Sequence, residues 1–334
     1  MQFVRKTTTW ILRFLKLQLF ISLFAMPILL WWGLPMSILS PLGNLLFGPA
    51  LTLFLLLSSL LFFTELLYIP NAWIAWCLDM LTKIWLYILK SDSHPWLFGF
   101  ATPSSLFLVS IPLLALLILH FKTLRSLAHS VLCLSILLVG SCLYIKNTYT
   151  KTNTLQTIPY GRGELTILHD QKKLVVIDPG IIGQRISSAS WIEYTLCPEL
   201  IKTSGKTTID HLILLQPGAM LFEAITTLAA KVKIKEIYLI CWQGSMTKHE
   251  WFRFFTMKRT LEAQGTKMHR ITHKTIELNI SKTCDITIQP LPQTIKQKEI
   301  QYPAIEVSGH INRDPFQVHT HKYKPHLKPS TLIT

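Results

Sequence analysis

The chain changes character near Ile145: before it almost every stretch is apolar enough for a lipid bilayer, and after it the sequence turns basic and strand-patterned. A hydrocarbon core about 30 Å thick demands about 20 predominantly apolar residues per crossing helix. Residues 17–34, 45–63, 103–121 and 127–145 meet that demand. Residues 72–89 have the right length but carry Asp79 and Lys83, so they either cross or lie in the interface as an amphipathic helix.

The basic flank Arg5, Lys6, Arg13 and Lys16 precedes a long span with no small-residue cleavage pattern, which reads as a retained helix rather than a signal peptide. Basic residues in short flanks mark the cytoplasmic side. The N-terminal cluster and the turn at 122–125 agree only if 72–89 crosses. The expectation is therefore a helical bundle of about five spans, with the N-terminus cytoplasmic and the second half on the outer face.

From Lys151 onward the chain holds 24 Lys and Arg against 15 Asp and Glu, a net +9 of its total +15. A basic face favours polyanions such as nucleic acid, lipid head groups or wall polymers, although the lysines are scattered, as in Lys231, Lys233 and Lys235. About 185 residues suffice for one independent core. Of six cysteines, Cys197, Cys241 and Cys284 fall here; with no C-x-x-C pair they read as buried thiols, not a disulfide framework or zinc knot.

Residues 164–169, 173–178, 211–215, 236–241 and 284–290 read as strands, and 191–203, 222–231 and 249–264 as helices. Their alternation predicts an α/β layered domain. Residues 312–334 lack apolar periodicity and read as a basic tail. The expected divisions are thus 1–147, 148–311 and 312–334.

Several motifs carry a resemblance that covers most of the chain. An apolar span holding Pro27 is followed by SPLGNLLFGP, with Ser40, Pro41, Asn44, Leu45, Leu46 and Pro49. GRGEL begins at Gly161 and includes Gly163 and Glu164; VVIDPG from Val175 includes Asp178 and Gly180; IDHLILLQPGAML begins at Ile209 and includes Asp210. Together these resemble the later membrane part of the ComEC-type competence family of bacterial inner-membrane DNA-uptake channels, followed by its metallo-β-lactamase-like domain. The resemblance implies DNA passage across the inner membrane, with single- or double-stranded DNA and membrane lipid as partners. It also implies a partner subunit or homo-oligomer to supply the membrane spans and soluble loop that precede this region in the family.

Where that family carries its zinc signature, this chain has Gln216, Gly218, Met220 and Leu221. A hydrolytic metal pair needs clustered imidazole and carboxylate ligands, which these residues do not supply. The expectation is a pseudoenzyme with no catalytic residue, no metal and no cofactor, binding or passing DNA without hydrolysis. Two alternatives stand beside it: a metal-dependent nuclease with a site rebuilt from His269, His273 and carboxylates, and a non-catalytic envelope assembly module. The tail histidines His319, His321 and His326 read as solvated. Glu164 and Asp178 form a possible acid-base pair, but Asp178 before Pro-Gly is better read as bonding its own turn.

In the membrane half, Asn44 is expected to cap a helix just outside the hydrocarbon, with Pro49 in an early turn. Pro27, Asn44, Pro49, Glu65, Asp79 and Lys83 are the candidates for a polar pathway, because proline breaks the helical ladder and ionisable groups in spans face protein or water.

Overall fold

The computed structural model describes residues 2–37, 40–89, 97–120, 126–149, 154–160, 163–170, 173–183, 188–272, 274–281, 284–297, 299–311 and 314–320. The chain divides into two compact units. One comprises Met1–Leu29, Pro35–Phe98 and Pro103–Leu143; the other comprises Leu30–Leu34, Gly99–Thr102 and Tyr144–Thr334.

The N-terminal part contains α1 (Gln2–Trp32), α2 (Ser40–Leu66), α3 (Ala72–Leu89), α4 (Ser105–His120) and α5 (Leu127–Tyr149). A two-residue antiparallel pair, β1 (Met36–Ser37) with β2 (Leu97–Phe98), lies among them. Three stretches, Lys6–Trp32, Phe47–Leu66 and Leu127–Tyr149, are long and apolar enough to cross a membrane, and α4 is a shorter apolar helix. The basic turn expected at 122–125 lies outside the described residues.

The expectation that Asn44 caps a helix is corrected. Helix α2 begins at Ser40, four residues earlier, where Ser followed by Pro makes a strong start signal. Asn44 instead donates from Nδ2 to Oε1 of Gln18 on α1 at 2.8 Å. Pro49 likewise sits inside α2 rather than in its first turn, and Pro27 sits inside α1. Asp79 and Lys83 face one another across one turn of α3 at 2.6 Å. Glu65 is exposed near the end of α2.

The second unit is α/β. Its six-stranded sheet runs β3 (Thr154–Tyr160), β4 (Gly163–Asp170), β5 (Lys173–Asp178), β6 (Thr208–Leu214), β7 (Lys233–Ile240), β8 (Lys267–Ile271) in space as in sequence. Strands β5 to β8 are parallel, and β3 and β4 form an antiparallel edge. Helices make the crossovers. After β5 come α6 (Ser188–Trp191), a π-helical turn (Ile192–Leu196) and α7 (Cys197–Ser204); after β6 comes α8 (Ala219–Lys231), and after β7 comes α9 (Lys248–Ala263).

The near-continuous apolar runs of β5 to β7 follow from burial on both faces, as parallel strands require. Leu174, Val176, Leu212, Leu214, Ile237 and Leu239 pack with Phe222, Leu228 and Met257 of the helices. Val175, Ile177, Ile213, Tyr238 and Ile240 point the other way. There they meet a second, antiparallel sheet of order β12-β11-β10-β9, built from β9 (Ile276–Ser281), β10 (Cys284–Gln297), β11 (Ile300–Ile311) and β12 (Asp314–His319). Part of the stretch read as a tail thus forms β12, where Val318 pairs with Val307 and Phe316 is buried against the second core. The rest of that stretch, with His321 and His326, lies outside the described residues.

Candidate functional site

A cavity of about 280 Å³ opens at the C-terminal ends of β5 and β6. Crevices at the carboxyl ends of parallel strands are common binding positions in α/β sheets. Its walls include Gly180 and Gly183 from the turn after β5, and Gln216, Gly218, Met220 and Leu221 from the β6–α8 junction. Ser245, Thr247 and Glu250 come from the entry to α9, and Gln297 and Glu299 from the β10–β11 turn. Gln216, Gly218, Met220 and Leu221 are therefore gathered on one wall.

Beneath that wall lies Asp178, fully buried at the end of β5. Its Oδ1 accepts the backbone N–H groups of Gly180 at 3.0 Å, Ile181 at 2.7 Å and Ile182 at 3.2 Å. Its Oδ2 is buried without a hydrogen-bond partner. Burial pushes the carboxyl up to about 6, against the opposing pull of those three N–H groups. Asp178 is thus the organiser of the turn.

Gly180 has φ +105°, and a Cβ there would run into Oε1 of Gln216; Gly183 has φ +87°, and a Cβ would strike the backbone of Met220 and Leu221. The glycine-rich turn and the β6–α8 junction are therefore packed backbone to side chain and backbone to backbone.

Gln216 is mostly buried, and its Nε2 donates to Oε1 of Gln297 at 2.6 Å, while its own Oε1 has no partner. On the opposite wall Thr247 and Glu250 form a capping box at the start of α9: Glu250 Oε2 accepts the Thr247 N–H at 2.8 Å and Thr247 Oγ1 accepts the Glu250 N–H at 3.3 Å. Ser245 Oγ donates to Glu299 at 3.3 Å. The described lining therefore offers amide, thioether, hydroxyl and two carboxylate groups, and no basic side chain.

This donor set does not fit a zinc pair. The wall of Gln216, Gly218, Met220 and Leu221 presents a neutral amide, a bare backbone, a thioether and an alkyl group, and Glu250 is already committed to its helix cap. Among the described residues, no group of three or more His, Cys, Asp or Glu side chains is placed to hold a metal ion.

The remaining motif residues that are described do not line the cavity. Gly161 lies outside the described residues. Gly163 opens β4 opposite Tyr160, and Glu164, opposite Pro159, is exposed. Asp210 is a structural hub: its Oδ2 accepts from the Leu174 N–H at 2.8 Å and from Lys206 Nζ at 3.0 Å, and its Oδ1 from Lys235 Nζ at 2.6 Å. Burial works against its charge, but those three donors outweigh it and hold the carboxyl below its usual range.

His269 sits on β8 with its ring stacked on Tyr238 at 4.8 Å and its Nε2 3.6 Å from Glu236, while His273 lies outside the described residues. Tyr238 donates to the same Glu236 oxygen at 2.8 Å, and His211 Nδ1 lies 3.4 Å from it. Burial holds His211 below the ordinary imidazole range, which keeps it neutral near pH 7. Cys197 and Cys284 are buried, and burial pushes their thiols up to about 12 and about 11. They are inert packing groups.

Sequence reasoning singled out Gln216, Gly218, Met220 and Leu221 without predicting a cavity, and it did not single out Ser245, Thr247, Glu250, Gln297 or Glu299. Only the Thr-x-x-Glu spacing at 247–250, a capping-box signature, gave any local signal.

No family model matches the chain, and no curated protein matches it. A solved structure of the peroxy diiron species of chemotaxis sensor ODP overlaps it at 16% identity with a TM-score of 0.26, covering 45% of this chain and 51% of that one. The chain spans about half the length of that structure, and an overlap at this level carries no argument about fold or function.

Proposed function

We propose that the chain is a membrane-anchored component of the DNA-uptake type that binds DNA without cleaving it, its second unit being a metallo-β-lactamase-like domain without metal ligands. The observation that carries this reading is the placement of lysine at the starts of adjacent parallel strands. Lys173 opens β5, Lys206 precedes β6, Lys233 and Lys235 open β7, and Lys267 opens β8. The registers Thr208 to Lys233 and Glu236 to Lys267 bring them to one edge of the sheet, at the opposite end of the strands from the Gln216 cavity. Asp210 pairs with Lys206 and Lys235 and Glu236 feels the charge of Lys267, while Lys233 and Lys267 are exposed and have no ion pair among the described residues.

In this reading the helices cross the bacterial inner membrane five times, with the N-terminus in the cytoplasm and the second unit outside. Pro27, Asn44 and Pro49 contribute to a polar path completed by a partner subunit or by further copies. The described cavity lining carries two carboxylates and no basic side chain, so in this reading DNA is bound at the lysine end of the strands and not in the cavity.

The test is binding of the purified chain in detergent to single- and double-stranded DNA across a salt series. Binding that weakens steeply with salt, with K233E and K267E each lowering the log–log slope by about one, supports the reading. Binding absent at low salt, or indifferent to salt, refutes it.

A further inference from the structure

Helix α9 has two apolar faces where a helix that merely covers a sheet needs one. Phe254, Met257 and Leu261 are buried against the sheet. On the opposite side Phe252 is 69% exposed and Phe255 57%, and on the flank Trp251, 37% exposed, is set against Trp242 and Phe254 and stacks on Phe255 at 5.6 Å. Lys248 and Arg259 are exposed on the same stripe, because positions 248, 251, 252, 255 and 259 repeat at helical spacing. Neither cation has an ion-pair partner among the described residues. Phe252 and Phe255, with the exposed edge of Trp251, form an apolar patch that is unfavourable in a surface facing only water, and the two cations border it.

We propose that this outer face of α9 docks on the surface of a bilayer containing anionic phospholipid. The aromatic rings suit the interfacial belt, where one side of a ring is apolar and the other wet, and Lys248 and Arg259 suit anionic head groups. The chain itself brings the membrane close. Four residues separate Tyr149, the end of a helix apolar and long enough to cross, from Thr154, the start of the first sheet. That covalent tether keeps the effective concentration of lipid around the domain high, so a modest patch suffices.

The full chain is reconstituted in nanodiscs of phosphatidylcholine, alone or mixed with phosphatidylglycerol, with the photo-reactive analogue benzoylphenylalanine replacing Phe252 or, independently, Phe255. A third protein carries it at His310, exposed on β11. The expected result is lipid adducts at 252 and 255, several-fold more abundant with phosphatidylglycerol, reduced several-fold by K248E/R259E, and absent at 310. Equal adducts at all three positions, adducts only to a second copy of the chain, or lipid adducts displaced by added single-stranded DNA would each overturn the proposal. The last result would assign the face to nucleic acid, since stacked aromatic rings with cations also suit single strands.

Discussion

Gln216 and Gln297, 81 residues apart in sequence, are joined by a 2.6 Å hydrogen bond that ties the end of β6 to the end of β10, and with it the parallel sheet to the antiparallel one. Gln297 Oε1 also accepts from Tyr302 at 3.1 Å, so one amide holds both the cavity wall and a buried ring.

The two ends of that bond are not equivalent. Q297A leaves the buried Gln216 amide and the Tyr302 hydroxyl without partners and is expected to cost about 1–3 kcal/mol. Q216M also breaks the bond but removes an acceptor already lacking a partner, and is expected to cost under about 1 kcal/mol. Urea unfolding of the two variants checks the order, and a larger loss for Q216M contradicts it.

Asp178 gives stability an inverse pH dependence. Its carboxyl is held up at about 6 in the fold, against an ordinary 3.8, so the folded state binds the proton more tightly than the unfolded chain does. Its contribution is most favourable below about pH 4 and falls as pH rises to about 6, by on the order of 3 kcal/mol. D178N keeps an acceptor for the turn and is expected to abolish that fall, measured as melting temperature of the second unit from pH 4 to 7. D178A loses the turn as well and is expected to be destabilised at every pH.

Asp210 acts in the opposite sense. Its carboxyl lies below its usual range in the fold, so its contribution is present above the unfolded carboxyl pKa, near 4, and is lost as pH falls through the folded value. D210A strands the largely buried Lys206 and the Leu174 N–H and is expected to cost about 3 kcal/mol at pH 7. The difference between D210A and the unaltered chain should shrink on acidification.

Gly183 cannot accept a side chain. At φ +87°, with the backbone of Met220 and Leu221 lying where a Cβ would go, G183A is expected to lose about 2 kcal/mol or more and to deform the wall carrying Gln216. A melting temperature equal to that of the unaltered chain would show that the turn relaxes freely.

Much of the second unit was legible because its strands are buried on both faces. IDHLILL and KLVVID admit few other readings, and the helices between them carry clean apolar stripes. The interior strand β11 and the edge strands β3 and β12 were not read from the sequence: β3 holds polar Gln156 and Thr157 and breaks its run with Pro159, which an edge tolerates because the ladder is needed on one side only. β12 opens with Asp314 and Pro315 and shares that character. The cavity was legible on one wall only, since Ser245, Glu250, Gln297 and Glu299 reach it from separate segments with no spacing that announces it. Asn44 was misread because its residue type suits a cap, while the Ser-Pro pair at 40–41 begins the helix earlier.

In the proposed function, the wall formed by Gln216, Gly218, Met220 and Leu221 binds no metal and cleaves nothing. Metal content and nuclease activity of the full chain, purified in detergent without a histidine tag and assayed with zinc, manganese and magnesium, decide the matter. Substoichiometric metal, with DNA recovered intact from a bound complex, is the predicted result. Stoichiometric metal with metal-dependent cleavage would contradict it.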